Sequence, residues 1–152
     1  MEHASILVPL DGREGCDRLL DAAWKLARAY QARIEYLYVV NLREAISSVD
    51  IEKLGRRSAL EEAILQGKEI LNDVLDITPA EVAARGHCLS GEPAATILKA
   101  AGDIKCSLIV MRTHGIGAFK ATFMGSVSSK VLERADCPVV LVKAIDEESN
   151  RG

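Results

Sequence analysis

Short uninterrupted apolar runs alternate along this chain with longer segments whose apolar residues recur every three or four positions. Ser5-Ile6-Leu7-Val8-Pro9-Leu10, Ser107 to Met111 and Val139 to Lys143 are runs of the first kind, and Ile34 to Val40 (IEYLYVV) is one broken only by Glu35. Unbroken apolarity over that length predicts strands covered on both faces. Val82 to Leu89 (VAARGHCL) is a weaker one, interrupted by Gly86 and His87. Between them, Cys16 to Tyr30 sets Leu19, Leu20, Ala23, Leu26, Ala27 and Tyr30 on one helical face. From Arg56 the series Leu60, Ile64, Gly67, Leu71, Val74 predicts a second helix, broken by Thr78-Pro79. Gly91-Glu92-Pro93 starts a third, since proline suits a first turn and a carboxylate suits the positive end of the helix dipole; Ile97, Leu98 and Ala101 form its stripe. Gly125-Ser126 starts a fourth that runs to Ala135 with Val127, Val131 and Leu132. Asn41 to Gly55 shows no clean period and reads as a long connection with at most short helical pieces.

The resulting order, βαβαβαβαβ, predicts an α/β fold: an open five-stranded parallel sheet with helices on both faces. In such sheets ligands bind outside the carboxyl ends of the strands, where the strand order reverses. With order 3-2-1-4-5, that point lies between the first and fourth strands. Asp11-Gly12 ends the first and Arg112-Thr113-His114-Gly115 ends the fourth.

Composition narrows the partners more than the fold. The 152 residues suit one domain, expected over 1–145 with a frayed polar tail at 146–152. Aromatics are only 4%, so the core must be aliphatic. A net charge of −3 argues against a nucleic-acid or anionic-membrane binder, which carries a basic excess. No basic leader precedes a long apolar run and no stretch reaches the 18 apolar residues of a membrane span, so a cytoplasmic protein is expected. Cys16, Cys88, Cys106 and Cys137 form no C-x-x-C pair, which supports neither a zinc site nor a redox motif and leaves reduced, structural thiols.

The candidate chemistry collects at the predicted crevice. A buried strand, a loop and a Gly125-Ser126 helix start form an anion site, because the first N–H groups of a helix have no internal partner and the dipole is positive there. The same residues can also serve only to turn and cap the chain. Asp11 can accept bonds from ribose hydroxyls or hold a divalent cation that bridges phosphates; an Asx turn with Gly12 is the alternative. His114 has no acid or nucleophile beside it in any recognisable motif, so no catalytic residue is assigned.

These segments closely resemble the universal stress protein family. Gly115, nine residues, then Gly125-Ser126 match the last two elements of its ATP-binding pattern G-x-x-G-(nine residues)-G-S/T, and Ser126-Val127-Ser128 is similar to its phosphate-contacting run. Ile6 to Gly12, Leu37 to Val40, Gly91-Glu92-Pro93, Leu108 to Met111 and Cys137 to Val142 follow the family's order. The resemblance implies a Rossmann-like fold in order 3-2-1-4-5 that binds ATP or another adenine nucleotide, with Mg a possible companion held near Asp11. Val39 would contact adenine through its backbone, and the pocket implied comprises Pro9, Leu10, Asp11, Val39, Met111, Arg112, His114, Gly115, Gly125, Ser126, Val127 and Ser128.

The first glycine of the pattern is Arg112 here. A side chain at that position either obstructs close backbone approach or adds charge-assisted bonds to phosphate. Two functions stay open on that account: a nucleotide-responsive stress regulator, or a dimeric interaction module whose pocket Arg112 alters. In both, the Val139-Val142 strand would lie at a sheet edge and pair with a second copy in a homodimer.

Overall fold

A computed structural model describes residues 3–12, 18–47, 51–113 and 125–143. Five strands, β1 (Ser5–Leu10), β2 (Arg33–Val40), β3 (Ala84–Ser90), β4 (Leu108–Arg112) and β5 (Val139–Val142), form one parallel sheet in the order β3-β2-β1-β4-β5. The expected order and direction are therefore present. The described helices are α1 (Arg18–Tyr30), α2 (Leu42–Ser47), α3 (Ile51–Ile77), α4 (Pro93–Ile104) and α5 (Ser126–Arg134).

Alternate residues of each strand supply two cores, because strand side chains point to opposite faces. Ile6, Val8, Ile34, Tyr36 and Val110 pack towards α1 and α3 with Leu20, Ala23, Leu71 and Val74. Leu7, Leu37, Ile109 and Met111 pack towards α4 and α5 with Ala94, Ile97 and Val131. On the first face Trp24 Nε1 donates to the Tyr36 hydroxyl at 2.9 Å, and that hydroxyl shares a 2.8 Å bond with Thr78 Oγ1. This satisfies the polar ends of two side chains whose rings are otherwise in the core.

Several boundaries differ from the sequence expectation for physical reasons. The Asn41 to Gly55 connection contains α2 and the first turn of α3, and Gly55 breaks α3 with φ 74° and ψ 159°, so the regular helix begins at Arg56. Tyr30 and Leu132, expected on apolar faces, are exposed at the margins of their stripes. The weak third strand is β3, at the sheet edge, where the polar residues Arg85 and His87 reach a buried carboxylate. Glu35 is fully enclosed, and its oxygens accept bonds from Arg33 Nε at 2.9 Å, Arg85 Nε at 2.7 Å and His87 Nε2 at 2.7 Å. Burial pushes the Glu35 carboxyl up, but these bonds outweigh it and hold the group below its ordinary value.

Candidate functional site

The carboxyl ends of β1 and β4 diverge around a crevice of about 460 Å³, within the range of small-molecule sites. β1 brings Pro9, Leu10 and Asp11 to its rim, and Gly12 turns the chain away with φ +87°, a conformation that favours glycine. β2 brings Val39, β4 brings Met111 and Arg112, and the start of α5 brings Gly125, Ser126, Val127 and Ser128. Every described residue of the expected pocket thus lines one cavity. His114 and Gly115, also expected there, lie outside the described residues, as does the 146–152 tail.

Helices α4 and α5 both begin at this crevice, and they differ in the group that caps them. At α4 the Glu92 carboxylate accepts bonds from Ala94 N at 3.3 Å and Ala95 N at 2.7 Å. The bond from the Ala95 N–H, followed by lesser contributions, holds Glu92 below the ordinary carboxylate value. An internal anion thus already occupies that helix start. At α5 the N-cap is Gly125, which makes no side-chain bond to the first turn. The helix is anchored instead through Ser128, whose buried hydroxyl donates to the Arg112 carbonyl at 3.1 Å. This bond fixes the start of α5 against the end of β4.

Arg112 spans part of the crevice. Its side chain is only 12% exposed, and Nη1 lies 3.8 Å from Asp11 Oδ2. The cavity volume remains with the guanidinium in place. Glu44 of α2 adds a second carboxylate to the wall, and Tyr38, Asn41, Pro93, Ile97 and Thr113 complete the lining. Of these six only Thr113, in the loop that ends the fourth strand, was placed at the crevice from sequence. Asn41 and Glu44 follow directly on the carboxyl end of a strand, and Pro93 lies in the Gly91-Glu92-Pro93 helix start, so their positions did carry a signal. Among the described residues no group of three or more metal-ligating side chains occurs, and no helix is long and apolar enough to cross a membrane.

Residues 3–143 match the model of the universal stress protein family. The chain belongs to that family. Among curated relatives, the "Universal stress protein in QAH/OAS sulfhydrylase 3′region" of Thermus aquaticus is 35% identical over 91% of this chain and 98% of its own length. Universal stress protein YxiE of Bacillus subtilis is 33% identical over 91% of this chain and 97% of its own. The fold of this universal stress protein is similar to that of an Archaeoglobus fulgidus universal stress protein solved in complex with dAMP: TM-score 0.70, 22% identity, 94% of this chain and 100% of that one. It is also similar to a universal stress protein solved with cAMP: TM-score 0.60, 20% identity, 94% and 98% coverage.

Proposed function

We propose that this universal stress protein binds an adenine nucleotide, ATP or a close relative, in the crevice between β1 and β4, and acts as a nucleotide-responsive regulator rather than as an enzyme. The observation that carries the reading is the contrast between the two helix starts: the first turn of α4 is filled by its own Glu92, and that of α5 is not capped by a side chain. An anion entering the crevice meets the α5 N–H groups, the Ser126 and Ser128 positions and the Arg112 guanidinium. Asp11 and Val39 then serve the nucleoside, the first through ribose hydroxyls and the second through backbone. Asp11 and Glu44 place two carboxylates against one guanidinium on the described wall, so a polyphosphate is best accommodated together with Mg²⁺, an ion that takes oxygen ligands. The dAMP and cAMP complexes of two structural neighbours add support by likeness.

The regulator is a single domain over 1–145 that pairs through β5. That strand lies at the edge of the sheet and its four apolar residues are only half-buried, which favours antiparallel pairing with a second copy.

Burial of Arg112 beside Asp11 favours a second reading, in which the guanidinium fills the phosphate position and the protein is a dimeric interaction module. A thermal-shift titration with ATP and Mg²⁺ separates the two. Ligand at 100 times its dissociation constant adds about 2.7 kcal/mol, a rise of roughly 5–11 °C for a domain of this size. An unchanged melting temperature at millimolar ATP sinks the nucleotide reading and leaves the module.

A further inference from the structure

We propose that Cys106 and Cys137 are a reversible oxidation site, joined within one chain as a disulfide when the protein meets a hydroperoxide. The two cysteines are 31 positions apart in sequence, yet their Sγ atoms lie 3.8 Å apart, in van der Waals contact. The fold holds them there. Cys106 follows the left-handed C-cap Lys105 of α4 and stands two residues before β4; Cys137 follows α5 and stands two residues before β5. Because β4 and β5 are parallel neighbours paired Ile109 to Val139, the segments leading into them run side by side, with the two cysteines one residue out of register. Backbone bonds from Cys106 N to Ala101 O at 3.2 Å and from Ile109 N to Pro138 O at 3.0 Å fasten both segments. A disulfide needs the sulfurs about 2.05 Å apart, so closure draws the two Sγ atoms together by roughly 1.8 Å.

The chemistry assigns different roles to the two sulfurs. Cys106 is buried, and that burial, reinforced by the neighbouring thiol, pushes it up to about 12, so it stays protonated at neutral pH. Cys137 is only half-buried and gives the oxidant its entry. The Cys137 thiolate attacks one peroxide oxygen, the O–O bond breaks, and hydroxide leaves with a sulfenic acid remaining on the sulfur. Cys106 sulfur then attacks that sulfenic sulfur, gives up its proton, and the S–OH group departs as water. In sum, two thiols and one hydrogen peroxide yield one disulfide and two waters, with two electrons passing to the peroxide. Among the described residues Cys88 has no such partner: it packs on the opposite face of the sheet, its Sγ directed to the Ile64 carbonyl at 3.9 Å.

The bond would tie the far ends of α4 and α5 together at the rim opposite the crevice and close a ring containing β4 and α5. It does not depend on nucleotide binding. Transient disulfides of this kind are the form in which reducing compartments usually show them.

The test is to expose the full chain to hydrogen peroxide, block residual thiols, digest without reduction and map the peptides by mass spectrometry. The expected result is a Cys106–Cys137 peptide pair lighter by two hydrogens, loss of two of the four thiols, recovery with dithiothreitol, and a melting temperature higher by roughly 5–10 °C in the oxidised form. Cys137→Ser and Cys106→Ala should each abolish the pair, and Cys88→Ser should keep it. The proposal is overturned if four thiols persist, if Cys137 advances to sulfinic acid without a cross-link, or if the only cross-links join separate chains.

Discussion

Replacing Arg112 by Gln removes the guanidinium and keeps most of the stem, and it discriminates between a phosphate contact and a plug. In the free protein the cost is small. The Asp11 side chain beside it is 44% exposed and the pair is 3.8 Å apart, so its contribution lies within ~0–1 kcal/mol. In the complex a charge-assisted bond to phosphate is worth about 1.5–3 kcal/mol, less up to ~1 kcal/mol for the Asp11 interaction weakened on binding. The net loss of about 0.5–3 kcal/mol corresponds to an affinity roughly 2- to 160-fold weaker. Calorimetric titration of ATP and Mg²⁺ into both proteins, in one buffer at one salt concentration, measures it. Equal or tighter binding by Arg112→Gln would refute the reasoning, because it would mean that the guanidinium stands where the ligand has to go.

Two further predictions concern the scaffold. Glu35→Gln should destabilise the fold by about 1–3 kcal/mol at neutral pH, below the 3–5 kcal/mol usual for a broken buried ion pair because Arg33, Arg85 and His87 are a third to a half exposed and can turn to water. The folded carboxyl titrates below its ordinary value of 4.5, so its stabilisation is present above that pH and lost as pH falls through the folded pKa. Urea midpoints of the two proteins should therefore converge in acid, and a gap that widens there contradicts the account. Gly67→Ala would place a Cβ 2.6 Å from Tyr38 Cδ1 and 3.0 Å from Cys88 Sγ. Overpacking of about 1–3 kcal/mol, offset by about 1 kcal/mol of helix propensity, leaves a net loss of ~0–2 kcal/mol in thermal unfolding. A clear gain in melting temperature would show that the contact between α3 and β2 is looser than described.

The strands most easily read from sequence are those most fully enclosed: β1 and β4 appear as nearly unbroken apolar runs, and β2 is interrupted within its apolar stretch only by the buried Glu35. β3 was obscured by the arrangement that makes it an edge, since Arg85 and His87 serve Glu35, a partner about 50 residues earlier that no local pattern reveals. The six-residue α2 holds fewer than two turns, too few for a helical period to show. Periodicity locates an apolar stripe but not its margins, hence the exposure of Tyr30 and Leu132. In the crevice, Asp11 and Gly125 to Ser128 were visible as punctuation between regular elements. Tyr38 was missed because it reads as core: its ring packs under α3 while it also lines the cavity wall. The contact between Cys106 and Cys137 arises where the chain enters two neighbouring strands, and it becomes readable only once those strands are known to be neighbours.

The most direct measurement is a two-dimensional amide NMR titration of the labelled protein with ATP and Mg²⁺. Saturable shifts concentrated at Asp11, Val39, Arg112 and the Gly125 to Ser128 amides are the result predicted. A spectrum unmoved at millimolar ATP contradicts the account. So do shifts gathered at the opposite end of the sheet, around the cavity of about 450 Å³ lined by His3, Arg28, Arg33 and Glu81.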